Sequence, residues 1–123
     1  MIELLPLNDK SQIRDYFKKA GLEADEHSGC LVAKNGQDVL GFCLYRLYEK
    51  GITILHITPD DDLALADGIL RSALNVAAQR SAMDARYEGE NNEELLDKLG
   101  FILDKGSKRL DIDKLFRGCG CKT

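Results

Sequence analysis

The spacing of apolar residues changes from strand-like to helix-like several times along the chain. Residues 1–7 predict a first strand. Residues 9–21 predict a helix, because Asp9 suits an N-cap and the apolar side chains that follow repeat at helical spacing. Two apolar, β-rich segments then flank Asn35-Gly36, a dipeptide that tolerates the positive φ angles of a tight turn. We therefore predict a strand, a helix and an antiparallel hairpin.

The second half of the chain alternates between strand and helix patterns. The run ITILHITP at residues 52–59 is nearly continuous in apolar residues, as is typical of a strand buried on both faces. From Leu63 to about Ala82 the apolar residues lie on one side of a 3.6-residue period, which predicts a long helix. MDARYE at 83–88 predicts a fifth strand, NNEELLDKLG at 91–100 a short helix capped by asparagine, and FILDKGSKRLDI at 101–112 a last hairpin.

This order of elements predicts the fold class. A strand, a long helix and a strand form a crossover connection, so the fourth and fifth strands are expected to be parallel. The other connections favour antiparallel neighbours. We predict an α/β (α+β) fold with a mixed, mostly antiparallel sheet of six or seven strands, a parallel central pair and about three helices packed on it.

Composition narrows the class of protein. With 123 residues, 44% hydrophobic and 31% charged, the chain suits one domain, which we place at 1–117, followed by a flexible tail at 118–123. Apolar runs fall well short of the roughly 20 residues of a membrane span, and no leader is recognisable, so we expect a cytoplasmic protein. A net charge of −4 without a basic stripe argues against nucleic acid as the main partner.

The four cysteines do not form the framework of a small disulfide protein. Cys30 and Cys43 fall in predicted strands, where we expect them to be buried and reduced. Cys119 and Cys121 lie one residue apart in the predicted tail, whereas a structural zinc site takes four ligands with wider spacing. We predict no metal site; a soft metal shared by these two thiols, or a redox pair, is the weaker alternative.

The order of elements, with ITPDDDLALADGILRSALNVAAQR at 57–80 and NNEELLDKLGF at 91–101, resembles the GNAT superfamily of N-acetyltransferases over nearly the whole chain. LDKLGF at 96–101 is similar to the family's Y-E-K-L-G-F signature. The resemblance implies that the fourth and fifth strands splay apart and that the pantetheine arm of acetyl-CoA lies between them. It also implies a Q/R-x-x-G-x-G/A loop whose backbone N–H groups bind the pyrophosphate at a helix start.

By that resemblance we expect acetyl-CoA to contact the end of the fourth strand and the start of the long helix. Backbone N–H groups near Ile57 would polarise the thioester carbonyl. The loop is divergent: with Gly68 on the first glycine of the motif, Leu65 and Leu70 replace the other two key residues. The predicted cofactor-binding residues are Ile57, Thr58, Leu65, Ala66, Asp67, Gly68, Ile69 and Leu70.

Two residues are candidates for proton transfer. His56, in the fourth strand, suits a general base because imidazole titrates near pH 6.5, although a hydrogen-bonded core histidine is the other interpretation. A β-bulge in this strand would decide which face His56 occupies. Leu96 stands where many family members carry the tyrosine that protonates the leaving thiolate. Tyr87 is a candidate substitute acid, or simply a packing residue.

The start of the long helix carries three acidic residues, 60–62. Aspartate is a favoured N-cap, and acids in a first turn complement the helix dipole. The same carboxylates would repel a pyrophosphate or occupy its site. Gly68, in the second turn, is either a tolerated surface glycine or marks the close approach of a ligand or backbone.

Two hypotheses for function follow. The first is an N-acyltransferase that moves an acetyl group from acetyl-CoA to the amine of a small molecule or peptide. The second is a GNAT-fold binding module that has lost catalysis and binds a small metabolite or a partner protein. A homodimer is left open as the assembly.

Overall fold

The computed structural model describes residues 1–117, so the predicted tail with Cys119 and Cys121 lies outside the described residues. Within them the chain forms the predicted series of strands and helices, with a short additional helix at its end. The elements are β1 (Ile2–Pro6), α1 (Lys10–Lys19), β2 (Ser28–Asn35), β3 (Asp38–Leu47), β4 (Gly51–Thr58), α2 (Leu63–Ala78), β5 (Asp84–Tyr87), α3 (Glu90–Lys98), β6 (Ile102–Asp104), β7 (Arg109–Leu110) and α4 (Lys114–Arg117).

Within residues 1–117, seven strands form one sheet in the order β1-β2-β3-β4-β5-β7-β6. Of these strands only β4 and β5 pair in parallel, and every other neighbouring pair is antiparallel. The predicted mixed sheet and its parallel pair are confirmed. The long helix α2 makes the crossover between β4 and β5, and it ends at Ala78, four residues earlier than the pattern suggested.

The sheet separates two apolar cores. The larger core lies between the sheet and α2 and extends to α3 and the last hairpin, with Ile54 and Leu74 fully buried in it. The smaller core lies between the other face and α1, where Phe17 packs against Val32 and Leu44. Because side chains alternate along a strand, β2, β3 and β4 contribute to both cores. The first core is called the α2 side below, and the second the α1 side.

Cys30 and Cys43 are buried free thiols on the α1 and α2 sides respectively, as predicted. Burial raises the pKa of both thiols, that of Cys30 to about 12. Neither therefore ionises at neutral pH. Among residues 1–117, no helix is long and apolar enough to cross a membrane.

Two glycines near the start of α2 differ in how closely other atoms approach them. A Cβ on Gly41 of β3 would overlap the carbonyl oxygen of Thr58 and come within 2.7 Å of Cδ of Pro59. A Cβ on Gly68 of α2 would meet only Cδ1 of Leu4, at 3.9 Å. The close approach of backbone is therefore at Gly41, which lets the β4–α2 connection pass directly over β3.

This difference predicts opposite effects of the same substitution. Gly41→Ala is expected to destabilise the fold by about 1–3 kcal/mol because backbone must move. Gly68→Ala is expected to stabilise it by about 0.5–1 kcal/mol because alanine loses less entropy in a helix. Urea unfolding of both variants measures this, and equal effects of the two would contradict the described packing.

Candidate active site at the end of β4

The strands β4 and β5 separate before β4 ends. Their register closes with Ile54 opposite Tyr87, followed by one bond from the N–H of Glu88 to the carbonyl of Ile54 (2.9 Å). The chain then leaves the sheet at Gly89, whose φ of 90° lies in the region that favours glycine. Residues 55–58 of β4 have β3 on one side and, within the described chain, no strand on the other. The space between this edge of β4, the start of α2 and the first turns of α3 is called the cleft below.

A β-bulge lies at the point where the cleft begins. Tyr45 of β3 is opposite Ile54, and the neighbouring Leu44 is opposite His56, so Leu55 is an extra residue in β4. The side chain of Leu55 is 7% exposed and packs on the α1 side. The bulge interrupts the alternation of side chains between the two faces of the sheet. It therefore decides which face His56 occupies.

His56 also lies on the α1 side. Its ring centroid is 5.7 Å from that of Phe42, which in turn contacts Tyr16 at 4.9 Å. Burial lowers the pKa of His56, and the carboxylate of Asp60 opposes this shift in part. A neutral imidazole at physiological pH can accept a proton. A cavity of about 370 Å³ opens beside Phe42 and Thr58 on this side.

Asn92 closes the apex of the cleft. Its Nδ2 donates to the carbonyl of Leu55 (2.6 Å) and to the carbonyl of Glu88 (2.7 Å), and the residue is 7% exposed. The predicted asparagine cap of this helix is wrong, because Gly89 is the N-cap and makes no side-chain cap bond. Asn92 instead satisfies two carbonyls that the separating strands leave without a ladder partner. Only its position, in the first turn of a helix that follows a predicted strand, could have drawn attention to it.

Tyr87 lies away from His56. It belongs to the α2-side core, is 1% exposed, and donates its hydroxyl proton to Oε2 of Glu93 (2.7 Å). Burial, together with this carboxylate, raises the pKa of Tyr87 to about 12. Leu96, at the position of the family's tyrosine, is fully buried. The two candidate proton carriers therefore do not meet at one point, and the phenol is bound to another side chain.

The start of α2 is capped from within the chain. Asp62 is the N-cap, and its Oδ1 accepts from the N–H of Leu65 at 3.1 Å, which confirms the predicted aspartate cap. The N–H of Ala66 is bonded to the carbonyl of Asp62 (2.9 Å). The N–H groups of residues 67–70 lie inside the continuous helix. No first-turn amide of the predicted segment 65–70 is therefore free to bind an anion.

The predicted cofactor-binding residues divide into two groups by orientation. One group has side chains buried in the α2-side core, so it could contact a ligand only through the backbone. The other group is half-buried, and within it Asp67 forms an ion pair with Arg71 at 2.7 Å. The first group is Ile57, Ala66, Ile69 and Leu70, and the second is Thr58, Leu65, Asp67 and Gly68.

The mouth of the cleft carries two acidic side chains and one basic side chain. A small cavity of about 100 Å³ there is lined by Asp60, Asn91 and Glu94 together with Leu95 and Lys98. The Lys98 ammonium is 3.3 Å from the Glu94 carboxylate and so is already paired. Across residues 1–117 no group of three or more His, Cys, Asp or Glu side chains is placed to hold a metal ion.

Several solved structures share this architecture. A ribosomal-protein-alanine N-acetyltransferase from Brucella melitensis biovar Abortus 2308 aligns with a TM-score of 0.58 and 14% identity over 80% of this chain and 90% of its own. A GNAT-family acetyltransferase from Streptococcus pneumoniae TIGR4 aligns with a TM-score of 0.53 and 16% identity over 82% and 87%. A mutant of the AtaT toxin, bound to the C-terminus of the antitoxin AtaR, aligns with a TM-score of 0.59 and 12% identity over 100% and 99%.

These similarities establish that the chain has the fold of the GNAT superfamily, and they confirm the resemblance found in the sequence at the level of fold. No protein-family model matches the sequence, and no curated protein matches it either.

The role of Asn92 can be tested against its neighbour. Asn92→Ala leaves the buried carbonyl of Leu55 and the carbonyl of Glu88 without their donor, and is expected to cost about 1–3 kcal/mol of unfolding free energy. Asn91→Ala removes an exposed amide from the same helical turn and is expected to stay within about 0.5 kcal/mol of the parent. Chemical denaturation measures both, and similar losses would contradict the bridging role.

His56 predicts a specific pH dependence of stability. Because its folded-state pKa is lowered, the unfolded chain takes up the proton first as the pH falls through about 6.5. The contribution of His56 to the free energy of unfolding is therefore present above about pH 6.5 and is lost below it. His56→Gln should flatten this part of the stability profile, whereas the exposed control His27→Gln should retain it. If His56→Gln leaves the dependence of stability on pH unchanged, the pKa of His56 is not lowered in the folded protein.

Proposed function

We propose that this protein is an N-acyltransferase that holds its acetyl thioester donor mainly through the pantetheine arm and transfers the acetyl group to the amine of a small molecule or peptide. The observation that carries the proposal is the open edge of β4 after Ile54, where a bulge and a separating neighbour leave residues 55–58 facing a cleft. An open strand edge binds an extended chain that contains amides by backbone hydrogen bonds. The pantetheine arm is such a chain.

The residues near the cleft fit the thioester arm of the donor but not its phosphates. The edge of β4 fits the thioester arm. The start of α2 does not fit a pyrophosphate, since Asp62 occupies the amide of Leu65. Unit charges about 4 Å apart interact by roughly 4 kcal/mol at an effective dielectric near 20, and by less where salt and water screen them. Asp60 and Asp61 therefore add repulsion, so the phosphates of acetyl-CoA contribute little affinity.

The proposed chemistry assigns one role to His56. Acetyl-CoA, when bound, supplies an acetyl thioester whose C–S bond breaks as the C–N bond to the amine forms. His56 takes up the amine proton, directly or through water, because its lowered pKa keeps the imidazole neutral. The sulfur leaves as a thiolate and is protonated by solvent, since Leu96 carries no proton and Tyr87 is bonded to Glu93. The cavity of about 370 Å³ beside Phe42 offers room for the acceptor.

A second candidate function is a binding module without catalysis. Two observations favour it: the capped helix start, and the buried leucine in the position of the family's tyrosine. Such a protein would use the same cleft to bind a metabolite or a partner segment along the edge of β4. Binding without turnover distinguishes it from the acyltransferase.

Calorimetry with two donors tests the proposed binding mode. Acetyl-CoA and S-acetyl-pantetheine are expected to bind with similar affinity, because the phosphates add little. The double variant Asp60→Asn, Asp61→Asn retains the Asp62 cap and is expected to bind acetyl-CoA roughly threefold to tenfold more tightly at low ionic strength. Its affinity for S-acetyl-pantetheine should not change. The variant Asp15→Asn, Asp38→Asn removes the same charge at exposed sites elsewhere and is the control.

Turnover is measured in the same samples with a panel of amines. Acetyl transfer that falls by about a hundredfold in His56→Gln, but not in His27→Gln, supports the acyltransferase. Donor binding without transfer to any amine supports the binding module instead. An absence of binding of either donor at millimolar concentration contradicts the proposed function.

A further inference from the structure

A cavity of about 410 Å³ lies at the other end of β4 from the cleft. It is enclosed by the end of β1, the start of β2, the end of β3 and the last turn of α2. Its apolar wall includes Leu7, Leu47 and Val76, and its polar groups include Tyr45 and Arg80. None of these residues lines the cleft or contacts His56, so the cavity is separate from the candidate active site.

Tyr45 is the buried polar side chain of this cavity. It is 4% exposed, and its ring lies across Gly29, where a Cβ would overlap it. Glycine at this position therefore allows the ring tip to reach the cavity. Within residues 1–117 the Tyr45 hydroxyl has no hydrogen-bond partner. Because the hydroxyl is not fully enclosed by the chain, it is available to water or to a ligand in the cavity.

Arg80, an exposed residue that lines the same cavity, supplies its positive charge. Burial raises the pKa of Tyr45 to about 12, and the Arg80 guanidinium acts in the opposite direction. At neutral pH the phenol keeps its proton and is a donor. Among residues 1–117, Arg80 forms no ion pair. The cavity's acidic residue, Glu26, lies 3.8 Å from His27 with its side chain 86% exposed, so it extends to solvent.

We propose that this cavity binds a small carboxylic acid that carries an apolar group. The carboxylate would accept hydrogen bonds from the Tyr45 hydroxyl and the Arg80 guanidinium, whose forked geometry matches two carboxylate oxygens. The amides of Asn8 and Gln79 also line the cavity and add donors. The apolar group would pack against Leu47 and Val76. A single cation beside an apolar wall matches a monoanion with a hydrocarbon part better than a phosphate.

Three small molecules test the contributions of the charge and of the apolar contact separately. In an NMR titration of the full chain with hexanoate, the amides of Gly29, Leu47 and Arg80 are expected to shift and saturate. Hexanamide has the same chain without the charge, and acetate has the charge without the chain. Each is expected to bind at least about tenfold more weakly than hexanoate, because a charge-assisted hydrogen bond or the apolar contact is lost.

Two variants assign the effect to the named side chains. Tyr45→Phe and Arg80→Gln are each expected to weaken hexanoate binding by about tenfold, whereas Arg86→Gln, on β5 outside the cavity, should bind as the parent does. Tyr45→Phe should unfold at the same temperature as the parent or higher, because the hydroxyl has no partner within the described chain. This readout also shows that the variant folds.

Equal affinities for hexanoate and hexanamide would overturn the proposal, as would hexanoate binding that Arg80→Gln leaves unchanged. An absence of saturable shifts at millimolar hexanoate would also overturn it. A lowered unfolding temperature of Tyr45→Phe would indicate that the hydroxyl serves the fold rather than a ligand. None of these results depends on the acetyl donor, so this proposal and the proposed function fail independently.

Discussion

The separation of β4 from β5 is the constraint on which the rest of the structure depends. Parallel pairing ends at Ile54 and Tyr87, while β4 continues for four more residues. Backbone groups inside a protein must be satisfied, so this separation requires a substitute for the missing strand. Asn92 provides it by donating to both Leu55 and Glu88. The same amide joins the first turn of α3 to the edge of β4.

Electrostatics and hydrogen bonding act differently at the two sides of this cleft. On the β4 side, residues 56–58 have no second strand beside them in the described chain, and Asn92 binds the carbonyl of Leu55. On the α2 side, Asp62 caps the N–H of Leu65, and two further aspartates precede it. In the proposed function, the strand edge binds the thioester arm while the phosphates add little affinity. The fold alone does not decide which function this chain has kept.

The two ends of β4 offer chemically different environments. The cleft end has acidic side chains, a neutral imidazole and an open strand edge. The opposite end has an arginine without an ion pair in the described chain, a buried phenol and an apolar wall. Both depend on small residues that let other groups approach, Gly41 beneath the β4–α2 connection and Gly29 beneath the Tyr45 ring. The positions of these glycines thus shape the surfaces at both ends of the sheet.

The sequence by itself determined the elements, the parallel pair and the aspartate cap of α2, because periodicity, crossover length and capping are local properties of the chain. It also pointed to His56 and Tyr87 as residues of interest. Only the tertiary structure decided that the Leu55 bulge places His56 on the α1 side, while Tyr87 lies on the α2 side and binds Glu93. The bridge from Asn92 to Leu55 and the cavity shared by Tyr45 and Arg80 bring together residues more than thirty positions apart. Such contacts depend on how distant segments pack, which no local pattern encodes.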